Sequence, residues 1–425
     1  MTVTKLTQKI ISFVLLAKAT QSFQDDRADQ AISLKENTKI ERLFSEGSED
    51  PYDCNCVSID SRVTDQWCID DCLCPWCPGC GNDYCAGYCS CDGEKPTTTT
   101  PDPNAPTTTT PKPTTHDPSK PICGMPWKYN VIYIDYSINW NDLTSDVQAC
   151  VDACFNVVIV SFWISGRLAD AAQVWGQTMT TAMRQASLDY AHKNGAQILL
   201  AGGGATDNIE GAVASDQGAW YGSELAKDAK NLMFDGVDFD CELHPGNYKP
   251  FQDGTFQKFT IDSAREARKI LGPDALILNA PQAPYFGAWT QEPTLGFTGI
   301  LQDPECDLTA VSIQFYNQCP TCYISYESLF IDGDLSNADE GHELTGESAV
   351  LQMMNNGVDP NKLIVGKPIY SSGFASNGFV DIQELHDWGC KFNGDHGWNT
   401  GFMTWMYRRG SDYNDGFGKV IAKGC

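Results

Sequence analysis

Between residues 122 and 425 the chain sets short apolar runs between amphipathic stretches, and it does so eight times. The runs are NVIYIDY (130–136), NVVIVSFW (156–163), QILLAGG (197–203), GVDFDCE (236–242), ALILNAP (275–281), AVSIQFY (310–316), KLIVGKPIY (362–370) and GFMTWMY (401–407). Runs of this length read as buried strands, and several of the segments between them carry helical periods. The clearest is TFQKFTIDSAREARKIL, where Phe256, Phe259, Ala264, Ala267 and Leu271 fall roughly on one face before a Gly-Pro stop. Eight strand-and-crossover units in about 300 residues point to an α/β fold, a closed (β/α)8 TIM barrel. A doubly wound open sheet is the alternative that the pattern leaves.

The preceding residues divide into four parts. In 1–19, Lys5 and Lys9 flank the start of an apolar core, IISFVLLA, and AKA (17–19) is a small-x-small cleavage site, so the segment reads as a signal peptide. That core is too short to span a bilayer. Residues 20–50 are charged and thinly apolar, a flexible or propeptide segment. Residues 51–93 hold ten of the nineteen cysteines, including the run CLCPWCPGC (72–80). A unit this small needs cross-links, and export favours disulfides over zinc, although Cys74, Cys77 and Cys80 are spaced like metal ligands. Their pairing is not legible. Tyr52, Trp67, Trp76, Tyr84 and Tyr88 are too many large rings for so small a core. Several are therefore expected on its surface, where rings stack on sugars; the competing reading is that they fill the core. Residues 94–121 repeat TTTTP-x-P and have nothing apolar to bury, which makes them an extended linker whose threonines suit O-glycosylation.

With 29 basic and 55 acidic residues the formal charge is −26. That sign argues against nucleic acid and against anionic membrane surfaces as partners. No later apolar run is long enough to span a membrane, so a soluble, secreted monomer without a cofactor is expected. Nine cysteines follow residue 121, so at least one thiol there lacks a partner within the set, and Cys241 is the candidate. CPTC (319–322) suits a loop disulfide. DGDLSNADEGHE (332–343) reads as a solvated acidic loop, and His244 as a loop residue near the cleft. The six histidines show no metal-ligand spacing.

The fourth run sits in FDGVDFDCE (234–242), where Asp238, Asp240 and Glu242 alternate. On a strand they share one face, while Val237, Phe239 and Cys241 share the other. In a barrel the acids point inward and rise toward the C-terminal mouth, with Glu242 highest. Three inward carboxylates raise one another's pKa, and loss of water adds to this. Glu242 is then protonated near neutral pH, the state of a general acid. A stack neutralised by arginines is the bland reading, yet only Arg408 and Arg409 fall near a strand's C-terminal end. A Ca²⁺ or Mg²⁺ site is the other rival, against which stand the apolar spacing and flanks that are not rich in Asn and Asp.

DGVDFDCE resembles the D-G-x-D-x-D-x-E signature of family 18 glycoside hydrolases, the chitinases and their relatives. Asp235, Gly236 and the three acids all fall in register, on the fourth strand. LLAGGG (199–204) resembles the third-strand S-x-G-G motif through Gly203 and Gly204, with Ala201 in place of serine. APQAPY (280–285), containing Gln282, and QFYN (314–317) are similar to the fifth and sixth strands of the plant and fungal class III type. Trp405 falls at the eighth-strand tryptophan. The resemblance covers about 122–425, and YIDYSINW departs from the class III first strand.

That resemblance implies substrate-assisted hydrolysis of N-acetylglucosamine polymers with retention, an exception to the two-carboxylate scheme. Glu242 would protonate the glycosidic oxygen while the substrate's acetamido carbonyl attacks C1. Asp240 would orient that group, and Asp238 would set the protonation of Asp240. Tyr316 would hydrogen-bond the acetamido oxygen, Gln314, Asn317 and Gln282 would contact the sugar, and Trp405 would floor it. Tyr136 and Trp163, at the ends of the first and second runs, are weaker candidates for cleft walls. An endochitinase binding chitin oligosaccharides is the expectation. An endo-β-N-acetylglucosaminidase acting on N-glycans and a non-catalytic chitinase-like lectin are the alternatives.

Overall fold

The computed structural model describes residues 122–243, 249–287, 296–333, 347–371 and 375–425, together with an antiparallel two-residue pair, Val57–Ser58 and Cys89–Ser90. Chain contacts divide the molecule into two units, Met1–Thr109 and Thr110–Cys425, and the barrel is the second. The other expectations for residues 1–121, for His244 and for most of the 332–343 loop lie outside the described residues.

All eight apolar runs form strands: β1 Tyr129–Ile134, β2 Val157–Ile164, β3 Gln197–Gly203, β4 Gly236–Asp240, β5 Leu276–Asn279, β6 Ala310–Gln314, β7 Leu363–Pro368 and β8 Gly401–Trp405. Each pairs in parallel with its neighbours in sequence, and β8 pairs with β1, so the sheet closes. Closure rules out the doubly wound alternative. Most of the strands are apolar on both faces and so need cover on both, which the barrel interior and the helix layer supply. One set of side chains, including Val131, Tyr133, Ile159, Leu199, Leu278, Ile364 and Met403, fills the barrel interior. The other set, including Ile132, Val158, Ile198, Val237, Phe239 and Val365, packs under the helices.

Those helices include α1 Thr144–Asp152, α2 Thr181–Lys193, α3 Gly218–Asn231, α4 Thr255–Leu271, α5 Ile382–His396 and α6 Asp412–Ile421. Helix α4 spans the anticipated stretch and buries Phe256, Phe259, Ala264 and Ala267. It stops at Gly272, whose φ of +94° no helix continues. No helix among the described residues is long and apolar enough to cross a membrane.

The nine cysteines of this unit form three disulfides, Cys123–Cys154, Cys319–Cys322 and Cys390–Cys425, and leave Cys150, Cys241 and Cys306 free. Cys241 is buried on the helix side, as its parity requires.

Candidate active site

Strand β4 ends at Asp240, one step earlier than the acidic alternation suggests. Beyond that point no strand continues alongside, because β5 ends at Asn279. The chain is held by other means: Gly204 N–H donates to Asp240 O at 2.8 Å, and Leu243 N–H donates to the Tyr285 hydroxyl at 3.0 Å. Glu242 therefore stands just past the strand, half-buried, on the same side as the two aspartates.

Gly203 makes the close approach between β3 and β4 possible. Its φ is +115°, and a Cβ there would lie 2.1 Å from Asp240 O. Gly236 meets a similar wall, 2.0 Å from Leu276 O. At the foot of β4, Asp235 accepts from Ile198 N–H at 2.8 Å and pairs with His192 Nε2 at 2.7 Å. That residue fastens β4 to β3 and α2, and it stands apart from the mouth.

The acids rise in a ladder. Asp238 is fully buried and accepts from the Tyr133 hydroxyl through Oδ2 at 2.8 Å, while its Oδ1 has no partner. Burial pushes its carboxyl up to about 7, against the pull of the Tyr133 bond. Asp240 is held well above the usual carboxylate range by burial first, then by the charges of Glu242, Asp238 and Asp135. Burial also raises Glu242, opposed by a bond from Gln314. The Gln314 amide binds the two upper steps together: Nε2 lies 2.8 Å from Asp240 Oδ1, 3.4 Å from Glu242 Oε1 and 3.0 Å from Ala280 O. Desolvated carboxylates this close share protons, so at neutral pH the ladder carries fewer charges than acids.

Above the ladder opens a cavity of about 260 Å³. Asp240, Glu242, Gln314, Tyr316, Asn317, Trp405 and Gly204 line it together, drawn from the loop ends of four strands. Trp405 packs near Tyr133 and Phe162, with ring centroids 5.6 and 6.0 Å away. Asn317 Oδ1 accepts from Ser376 N–H at 2.8 Å, which fixes its side chain at the rim. Burial and the three acids push the Tyr316 phenol well up, so it stays a neutral donor.

Three expected residues fall elsewhere. Trp163 is 0% exposed, donates from Nε1 to Asp228 Oδ2 at 2.8 Å, and packs edge-on against Tyr221 of α3. It lies in the helix layer and walls no cleft. The cause is a register shift in β2 between Val160 and Trp163, which flips the parity and turns Phe162 into the cavity instead. Gln282 bridges β6 through Gln314 but does not line the cavity. Tyr136 is 48% exposed and also stands outside the lining.

Other lining residues were not anticipated, namely Asp135, Phe162, Asp170, Ala205 and Thr206. Burial and the Asp170 charge raise the Asp135 carboxyl to about 8. Tyr133 and Asp135 were available to the period-two rule that found the acids, since both share the inward parity of Val131.

Carboxylates raised by burial at the C-terminal mouth of a parallel barrel are the arrangement of an acid–base site. No protein-family model and no curated protein matches the chain. Among solved structures, a family 18 chitinase from Pseudoalteromonas aurantia superposes with a TM-score of 0.51 at 22% identity, over 69% of this chain and 98% of that one. A fungal endo-β-N-acetylglucosaminidase of the same family gives 0.46 at 18%, over 69% and 96%. A tobacco class V chitinase, a point mutant in complex with NAG4, gives 0.47 at 12%, over 69% and 99%. The first likeness shows a shared fold, and at this identity nothing finer.

Proposed function

We propose that the protein is a secreted endo-acting chitinase that cuts β-1,4-linked N-acetylglucosamine polymers with retention, by substrate assistance and without a cofactor. The observation that carries this reading is the Gln314 amide joining Asp240 to Glu242 above buried Asp238. Glu242, raised by burial, delivers a proton to the leaving oxygen. The partner nucleophile is the substrate's own acetamido carbonyl. It closes on C1 to give an oxazolinium ion, and Asp240 accepts from the acetamido N–H. Tyr316 donates to the acetamido oxygen, and the Trp405 ring stacks beneath the sugar. Water activated by Glu242 then opens the ring from the same face.

Among the described lining residues no thiol competes with the acetamido carbonyl. Cys241 is the nearest thiol in sequence, and it is buried on the helix side. Export is supported by the signal-like 1–19 segment and by the three disulfides of the barrel unit.

The test is hydrolysis of acetylated chitin oligomers with the anomer read at early times. A β-anomeric product is expected, and an α-anomeric product would end the mechanism. Release of N-glycans from a high-mannose glycoprotein without cleavage of chitin oligomers would move the substrate to the alternative endoglycosidase class. Binding without any cleavage would make the protein a lectin.

A further inference from the structure

Two carboxylates in the cavity have no part in the chemistry proposed above. Asp135 follows β1, and Asp170 opens the short helix Asp170–Gln173 beyond the hairpin of β2; both line the cavity with Asp240 and Glu242. Asp135 is 6% exposed, and its Oδ1 has no hydrogen-bond partner. Four of the twelve lining residues are acids, and none is lysine, arginine or histidine. Among the described residues, Arg167 acts on Asp170. Segments 244–248, 288–295, 334–346 and 372–374 contain no lysine or arginine.

A buried carboxyl oxygen without a donor is costly, so an arriving ligand that brings donors is favoured there, and a positive charge on that ligand would draw off the carboxyl proton and leave an ion pair. A metal ion fits poorly. Among the described residues the one group of three converging metal-type side chains is His386, Cys390 and Cys425, far along the chain from these acids. What suits the pair is an ammonium, with three donors on a compact charge. Within the proposed mechanism the reacting sugar must keep its acetyl group, because that group is the nucleophile. A free amine is admissible only on a neighbouring sugar.

We propose that Asp135 and Asp170 form a subsite for a cationic amino sugar, the 2-ammonium of a deacetylated residue bound on the β1–β2 side of the reacting N-acetylglucosamine. The inference rests on the chitinase reading and narrows the substrate to partly deacetylated polymer.

The experiment uses the full chain carrying Glu242→Gln, so that binding is read without turnover. Calorimetry compares a fully acetylated chitopentaose with pentamers lacking one acetyl group at a known position. One monodeacetylated isomer should bind about tenfold tighter than the acetylated parent, and added Asp135→Asn or Asp170→Asn should abolish that ratio. Equal binding of all isomers by the Glu242→Gln protein overturns the subsite and leaves the chitinase reading intact. Failure to bind any pentamer overturns both. A preference that survives both asparagine variants overturns the assignment to these residues. Calcium chloride alone is the control probe, and heat of binding lost in Asp135→Asn would mark a cation site instead.

Discussion

Replacing Glu242 by glutamine keeps the size of the side chain and its bond from Gln314, and removes the dissociable proton. Glu242→Gln should therefore lower kcat on chitin oligomers by about 10²–10⁴-fold or more, while oligosaccharide affinity stays within a few-fold. Stopped assays and calorimetry on one preparation check both halves. The pH dependence follows from the raised carboxyls. A carboxyl raised in the folded state keeps its proton to higher pH than in the unfolded chain. Its contribution to stability is whole below the unfolded value of about 4 and is lost as pH climbs through the folded value. With Asp238 up to about 7 and Asp135 up to about 8, stability should fall between roughly pH 4 and pH 8. Asp238→Asn should flatten that slope by an amount on the order of a few kcal/mol across the window. Urea titrations at several pH values measure it, and an unchanged slope would contradict the burial argument. Activity should decline as pH rises, because the Asp240–Glu242 pair, both held above the usual carboxylate range by burial, then gives up its shared proton.

Within single strands, the alternation rule succeeded where pairing is regular and failed where it shifts. Asp238 and Asp240 point inward because β4 pairs without interruption from Gly236 to Phe239 with β5. Tyr133 on β1 and Asp135 just past its end obey the same rule, and alternation from Val131 marks both. Trp163 was not legible: odd positions 157 and 159 face inward, and 163 would follow them but for the shift after Val160. Nothing in NVVIVSFW marks that shift, which answers to the three-dimensional demands of the mouth. The two neighbours should now separate cleanly. Trp163→Ala removes a fully buried ring and a bond to Asp228, and should cost about 3–5 kcal/mol of stability. Phe162→Ala should instead weaken substrate binding, because its ring backs Trp405 in the cavity. Melting temperatures together with KM values distinguish them, and the reverse pattern would mean that the register shift is misplaced.

At the scale of the whole chain, the eight-fold pattern carried the barrel because eight buried strands recur in order, each joined to the next by a crossover that lets them pair in parallel. The cysteine-rich segment offers no such pattern, since ten cysteines can pair in many ways and spacing alone does not choose among them. Its function must be argued from composition. Five large rings within about forty residues are expected to exceed what so small a core hides, and the Thr/Pro-rich stretch that follows is expected to act as a linker. A sugar-binding module tethered in this way raises the concentration of insoluble polymer seen by the barrel without touching the chemistry. Deleting residues 51–95 should accordingly lower retention on particulate chitin and the rate of its solubilisation by about tenfold or more. The same deletion should leave kcat/KM on soluble tetramers and pentamers unchanged, since these are short enough to reach the cavity unaided. Pull-down on chitin beads beside an oligomer assay decides the matter. Unchanged retention would remove the binding role, and a parallel loss on soluble oligomers would make the segment part of the catalytic unit.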